Sequence, residues 1–240
     1  SQCPVTKFCT MRRVGFQGEP GAYSEAAVIE ALGSEAEPVP LASFSDVFGA
    51  LDDGDIDVAV LPIENSLAGG IHRNYDLLLR YDAHIVGEHS LRVRHNLLAL
   101  PGTALEDIEE VVSHPQALSQ CEQFLAGIGA RQRPMYDTAG SAKMVREERL
   151  ENVAAIASER AAAVHELDIL ASGIEDAEEN YTRFLILSSD PETPRSARKT
   201  KTSLVFSLKD EPSVLFKALS VFALRDIDLT KIESRPLRER

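Results

Sequence analysis

The chain has only three cysteines in 240 residues, Cys3, Cys9 and Cys121. An odd count without tight spacing does not make a disulfide framework, so a reducing compartment is expected. Cys121 falls inside a helical pattern and reads as a small core residue. No CxxC, HExxH or Walker A motif occurs, which leaves a structural metal or a nucleotide site without support. His84, His89 and His95 are loosely grouped. Their spacing suits no common zinc motif, and they read as surface or strand-end histidines. No apolar run approaches the ~18 residues needed to span a bilayer. Basic residues are also in short supply: 25 Lys and Arg stand against 38 Asp and Glu, a net charge of -13. That balance argues against nucleic acid as a partner, but not against small anions held by local groups. No internal repeat or low-complexity tract is present.

What remains is a composition 44% hydrophobic, sufficient for a sizeable core. Residues 1–11, SQCPVTKFCTM, carry no periodicity and no apolar signal region. They read as the remnant of a processed transit segment or as expression-derived sequence, outside the fold. From residue 12 the pattern alternates. Strands are expected at 14–16, 38–41 and 57–63, and helices at 22–32, 43–53 (N-capped by Ser43 or Ser45) and 71–82. A long extended stretch follows at 84–100. A second group then repeats the rhythm: strands at 109–113, 153–157 and 168–170, and helices at 115–129, 138–150 and 158–167. Pro115 sits in a first helical turn, where its missing N–H costs nothing. A return strand is expected at 184–189.

Alternating strands and helices predict a mainly parallel sheet with helices on its faces. Residues 190–201, DPETPRSARKTK, read as a linker. Beyond it a strand at 202–208, a helix at 212–226 and a strand at 228–234 form a separate β-α-β pattern.

Four strand-to-helix junctions are rich in small polar residues. GFQGEPGAYSE (15–25) places three glycines before a helix, but spaced G-x-x-G-x-x-G, not as in a dinucleotide fingerprint. Free N–H groups there, with Tyr23 and Ser24, would seat a carboxylate; the run serves equally as an ordinary turn. LPIENSLAGGIHRNYD (61–76) ends a buried strand at Glu64, Asn65 and Ser66, where open α/β sheets bind ligands; Asn65 and Ser66 suit a plain turn as well. SHPQALSQC (113–121) offers Ser113 and Gln120, with His114 as a general acid or, in the blander reading, a helix cap. DTAGSA (137–142) offers Thr138, Ser141 and another helix N-terminus. NYTRF (180–184) sets Thr182 and Arg183 at the start of the return strand. A threonine hydroxyl donates a proton only in a preorganised, desolvated setting, Arg183 could hold a carboxylate bidentately, and the alternative is a turn.

Taken in order, GAYSE (21–25), ENS (64–66), SHPQAL (113–118), DTAGSA (137–142), TRF (182–184) and KIESRP (231–236) resemble the prephenate and arogenate dehydratases. The runs ENSLAGGIHRNYDLLLR and SVLFKALSVFALRDIDLTKIESRP look most like the plant and algal arogenate dehydratases. The resemblance implies an α/β catalytic domain over 12–189, with two lobes like a type II periplasmic binding protein. Lobe 1 would take about 12–90 plus 182–189, and lobe 2 about 91–181. A partial α+β ACT regulatory domain would follow over 202–240.

It implies Thr182 as the catalytic hydroxyl. Tyr23, Ser24, Glu64, Asn65, Ser66, Ser113, Gln120, Thr138, Ser141, Arg183 and Phe184 would line or support the substrate site. Glu233, Ser234, Arg235 and Pro236 would form a phenylalanine element, in a module that supplies only its first half here. The partner would be a small substrate, arogenate or prephenate, with phenylalanine as effector and no nucleic acid or membrane. No cofactor or metal is implied. A homo-oligomer is implied where the ACT domain is complete. The location implied is the plastid stroma for a plant or algal chain, and otherwise the cytoplasm. The competing class is a non-catalytic two-lobed module that binds a small anion or an amino acid.

Overall fold

Short apolar runs separated by amphipathic helices build two sheets in this chain, seen in a computed structural model that describes residues 11–191 and 200–234. The chain divides into two units, Ser1–Thr193 and Pro194–Arg240. Residues 1–10, with Cys3 and Cys9, most of the expected linker, Arg235 and Pro236 lie outside the described residues.

In the first unit the strands are β1 (Arg12–Gln17), β2 (Ala36–Leu41), β3 (Val58–Asn65), β4 (Gly69–Gly70), β5 (His84–Arg92), β6 (Asn96–Ala99), β7 (Glu110–Ser113), β8 (Arg131–Pro134), β9 (Val153–Ala157), β10 (Asp168–Ser172) and β11 (Tyr181–Ser188). The helices are α1 (Tyr23–Leu32), α2 (Phe44–Asp52), α3 (His72–Leu78), α4 (Pro115–Ser119), α5 (Glu122–Ile128), α6 (Thr138–Glu147) and α7 (Glu159–His165).

One sheet has the order β2-β1-β3-β11-β5, with β4 paired to β3; the other has β8-β7-β9-β6-β10. The two orders are the same pattern used twice. In each, three parallel strands meet an antiparallel strand that enters from the other lobe. The chain therefore crosses between lobes at residues 93–95 and again at 173–180. This is the two-lobed α/β class that the alternating pattern predicts. In each lobe the strand order reverses beside the first strand, so the ligand crevice of such sheets lies past the C-terminal ends of β1 and β3, and of β7 and β9.

Each sheet is covered on both faces. Val28 of α1 packs with Val14, Phe16, Val60, Leu91 and Phe184 of the strands, and Val47 and Phe48 of α2 with Leu77 of α3 pack with Leu61, Ile63, Leu185 and Leu187 on the other face. In the second lobe Leu97, Val111, Leu118, Cys121, Leu125 and Ile156 form one side, and Leu98, Val112, Val145, Ala155 and Ala161 the other. Strands covered on both faces read as continuous apolar runs, which is why 57–63 and 153–157 were legible. Ser43 caps α2, its hydroxyl accepting from Asp46 N at 3.2 Å.

Several expectations need correction. The extended stretch 84–100 is two strands, because the chain changes sheets between them. The helix expected over 115–129 breaks at Gln120 and Cys121. Asp176, from the second crossing, accepts from Glu122 N at 3.0 Å and Gln123 N at 3.2 Å, giving α5 its own N-terminus. β8, RQRP, was not anticipated. It is a short polar edge strand ending in proline, with none of the apolar signal of a central strand. The return strand starts earlier, so Thr182 and Arg183 are strand residues.

In the second unit α8 (Val214–Ala223) forms, but neither 202–208 nor 228–234 is a strand. Leu204, Val205, Phe206 and Ile232 are more than half exposed. Neither segment pairs with a strand among the described residues, and a lone extended segment gains nothing by straightening.

Candidate active site

The site begins with a β-bulge. β3 and β11 run antiparallel with Phe184 opposite Pro62 and Arg183 opposite Glu64, so Ile63 is an extra residue. Regular alternation would put Asn65 on the same face as Leu61 and Ile63, away from Thr182. The inserted residue turns Asn65 onto Thr182's face and leaves Glu64 beside Arg183. Two contacts hold the bulge: Asn74 Nδ2 donates to Pro62 O at 2.7 Å, and Ile71 N donates to Ile63 O at 2.9 Å. Asn65 Oδ1 accepts from Leu67 N at 3.1 Å and Ala68 N at 2.9 Å, an Asx turn that fixes which way the amide points.

The Asn65 Nδ2 group then faces Asn180 Oδ1 at 2.8 Å, Thr182 Oγ1 at 3.0 Å and Tyr181 O at 3.2 Å. Asn180 Nδ2 donates to Gln120 Oε1 at 3.0 Å. His95 Nε2 lies 2.8 Å from the same oxygen. Tyr23 Oη lies 2.8 Å from both His95 Nδ1 and Arg94 O. One polar chain thus runs Thr182–Asn65–Asn180–Gln120–His95–Tyr23, through both crossings between lobes. Its members are deeply placed: Asn180 is fully buried, His95 is 3% exposed and Thr182 9%. Burial pushes the Tyr23 phenol well above its ordinary range and lowers the His95 imidazole's pKa. It also pushes the Cys121 thiol up to about 12, with help from Glu175 and Asp176.

Because Asn65 donates to Thr182 Oγ1, the threonine's own proton is left to point elsewhere. A hydroxyl that accepts from a fixed amide is set up to give its proton away, since that amide stabilises the developing oxyanion. Thr182 stands at the start of β11, beside the C-terminal end of β3, where the strand order places the crevice.

The other expected residues divide between the site and the scaffold. Ser66 Oγ donates to Glu179 O at 2.8 Å and accepts from Tyr181 N at 2.9 Å, tying the ENS turn to the strand that carries Thr182. Ser113 Oγ donates to Ile156 O at 2.7 Å and Ser141 Oγ to Asp137 O at 2.6 Å, both fully buried. Phe184 is core. Arg183 lies between Glu64 at 3.1 Å and Glu88 at 3.3 Å, on the opposite face of β11 from Thr182. Thr138 opens α6, and Ser24 is buried in the first turn of α1. His114 caps α4, its Nδ1 accepting from Gln116 N at 3.2 Å.

Gly21 and Glu25, from the same junction as Tyr23, fasten the lobes together. Glu25 meets Arg160 at 2.9 Å and accepts from Gly21 N, while Gly21 O accepts from Ser158 Oγ. Glu233, in the second unit, pairs with Lys231 at 3.2 Å.

His95 corrects the surface reading given to the histidines. It is enclosed because it stands where the chain leaves one sheet for the other. Asn180 was likewise unassigned. Its only signal was adjacency to TRF, and nothing local marks His95. Among the described residues no group of three or more His, Cys, Asp or Glu side chains is arranged to hold a metal ion.

The chain has relatives among known proteins. The prephenate dehydratase family profile matches residues 14–192. Arogenate dehydratase/prephenate dehydratase 2, chloroplastic, of Arabidopsis thaliana is 55% identical over 227 residues, covering 95% of this chain and 59% of that protein. The chain therefore spans about three fifths of that relative's length. Among solved structures, GqqA, described as a novel type of quorum quenching acylase, aligns with a TM-score of 0.82 at 35% identity, covering 95% of this chain and 83% of that one. Prephenate dehydratase from Arthrobacter aurescens, in complex with L-Phe, aligns with a TM-score of 0.83 at 30% identity, covering 93% of this chain and 76% of that one. From the profile match over most of its length and these likenesses, the chain belongs to the prephenate dehydratase family.

Proposed function

We propose that the two-lobed unit is a dehydratase that removes water and carbon dioxide together from a cyclohexadienol, converting arogenate to phenylalanine, prephenate to phenylpyruvate, or both. The observation that carries this reading is the buried Thr182 hydroxyl, which accepts from Asn65 Nδ2 at 3.0 Å and so has its proton free to donate. Thr182 protonates the departing ring hydroxyl, which leaves as water. The electrons of the ring–carboxylate bond move into the ring, carbon dioxide departs, and Thr182 recovers a proton from solvent. Aromatisation supplies the driving force, and a positioned proton donor contributes ~10²–10⁴-fold. Neutral amides suit this site, because a cation on the departing carboxylate would hold the ground state.

Asn65 and Gln120 orient the donor in this reading, and Ser66 holds its strand. Tyr23 anchors the far end of the chain. Ser113 and Ser141 support the two junctions of the second lobe, and Thr138 opens the α6 helix at the same junction as Ser141. Arg183, engaged with Glu64 and Glu88, steadies the strand. The plant relatives favour arogenate and a plastid location. Residues 202–240 are read as part of an ACT domain, with Glu233, Ser234, Arg235 and Pro236 toward phenylalanine. The Arthrobacter neighbour's L-Phe supports that effector, and ACT pairing would give a homo-oligomer.

The test offers purified protein prephenate and arogenate in parallel, with Thr182→Ala and Thr182→Ser as controls. Turnover lost in the alanine variant and recovered in part by serine is expected. A folded wild-type protein that binds either substrate without converting it would put the binding-module reading first.

A further inference from the structure

The polar chain has a direction, and that direction can be read from one end to the other. Leu67 N and Ala68 N are donors that cannot be reversed, so the Asn65 atom facing them is its oxygen. Its Nδ2 therefore faces Asn180, which must present Oδ1 at 2.8 Å. Asn180 then turns Nδ2 toward Gln120, which must present Oε1 at 3.0 Å. That oxygen lies 2.8 Å from His95 Nε2. An oxygen has no proton to give, so Nε2 must carry one. Nδ1 of the neutral ring is then a lone pair 2.8 Å from Tyr23 Oη, whose single proton it shares with Arg94 O, also at 2.8 Å. Two backbone amides in the ENS turn thus set the tautomer of a histidine at the other end of the chain.

We propose that His95 is a positioning residue for the reaction: its Nε2–H holds Gln120, and through it Asn180, against the already oriented amide of Asn65, keeping the Asn65 Nδ2 contact that leaves the Thr182 proton free. This rests on the dehydratase reading above. His95 stands on the first crossing between lobes and Asn180 on the second, so the chain also couples the alignment of Thr182 to the registration of the two lobes. His95 is held in place from its backbone as well, its N donating to Glu175 Oε2 at 2.9 Å and its O accepting from Ile174 N at 3.0 Å. Of the ionisable groups around it, the Glu175 carboxylate favours a charged ring, and burial outweighs it. Tyr23, its phenol pKa raised well above the ordinary range, stays protonated.

Two substitutions separate the donor from the ring. His95→Gln places an amide N–H near the position of Nε2, whereas His95→Asn reaches Tyr23 but not Gln120. With the substrate that the wild-type protein turns over, His95→Asn is expected to lower kcat by about 10- to 100-fold, the range of one lost buried hydrogen bond. KM should change much less, and His95→Gln should recover most of the loss. In the background of Gln120→Ala, His95→Asn should add little further, because the two act through one contact. A folded His95→Asn protein with wild-type kcat overturns the proposal, as does a His95→Gln protein as impaired as His95→Asn.

Ring ¹⁵N–¹H correlation spectra of the wild-type protein at neutral pH give a second readout that does not depend on turnover. The Nε2-protonated neutral tautomer is expected, and an Nδ1-protonated ring would overturn the proposal. If neither substrate is converted, the dehydratase reading fails, and the tautomer still decides whether the chain is directed as stated.

Discussion

Exchanging one atom at Asn65 tests the proton direction without changing shape. In Asn65→Asp one carboxylate oxygen keeps the bonds from Leu67 N and Ala68 N, at 3.1 and 2.9 Å. The other replaces Nδ2. It then faces Asn180 Oδ1 at 2.8 Å, Thr182 Oγ1 at 3.0 Å and Tyr181 O at 3.2 Å. Two of those three are carbonyl oxygens, now acceptor against acceptor. The third is a hydroxyl that turns its proton toward the new carboxylate and away from substrate. Losing a preorganised donor of this kind costs about 10²–10³ in kcat, or about 2.7–4 kcal/mol. The unpaired buried acceptors cost about 1–3 kcal/mol of stability, at roughly 2–4 °C of Tm per kcal/mol for a domain of this size. Burial also raises the new carboxyl group's pKa above the ordinary carboxylate range. Once protonated, its O–H is a donor again, so activity of the variant should rise as pH falls where that of the wild type does not. The assay is product formation from arogenate and prephenate across pH, with thermal unfolding in parallel. A folded Asn65→Asp protein with wild-type kcat at neutral pH would refute the reasoning.

Gly21 has φ +93°, and a Cβ there would sit 2.7 Å from Ala161 Cα, whereas Gly102 has φ +85° and open space around it. Gly21→Ala should lower stability by about 1–3 kcal/mol more than Gly102→Ala, the range for overpacking; equal losses in calorimetry would remove the interlobe contact from the explanation. Ser113→Ala should cost about 1 kcal/mol through the lost bond to Ile156 O, with KM unchanged. A raised KM at full stability would instead make Ser113 a substrate contact. His95 has its pKa lowered in the fold, so as pH falls through about 6.5 the unfolded chain takes up the proton first. The stability it contributes is present above that pH and lost below it. Urea unfolding should therefore show a steeper acid loss for the wild type than for His95→Gln.

The sequence by itself determined the alternating α/β plan, the covered strands at 57–63 and 153–157, the Ser43 cap and the polar junctions, because each of these is written in local periodicity and local hydrogen-bonding chemistry. It also placed Thr182 beside the start of an apolar strand. It could not show that Ile63 is an extra residue, since a bulge exists only relative to the partner strand, and the pairing of Asn65 with Thr182 depends on it. Nor could it show that RQRP at 131–134 would join a sheet edge, or that 202–208 pairs with no strand among the described residues. Asn180, Gln120 and His95 are separated by 60 and 25 residues along the chain, and they meet only because the chain crosses twice between lobes. Burial of His95 and the direction of the hydrogen bonds around it are properties of that crossing. No local pattern encodes them, and tertiary structure alone decided them.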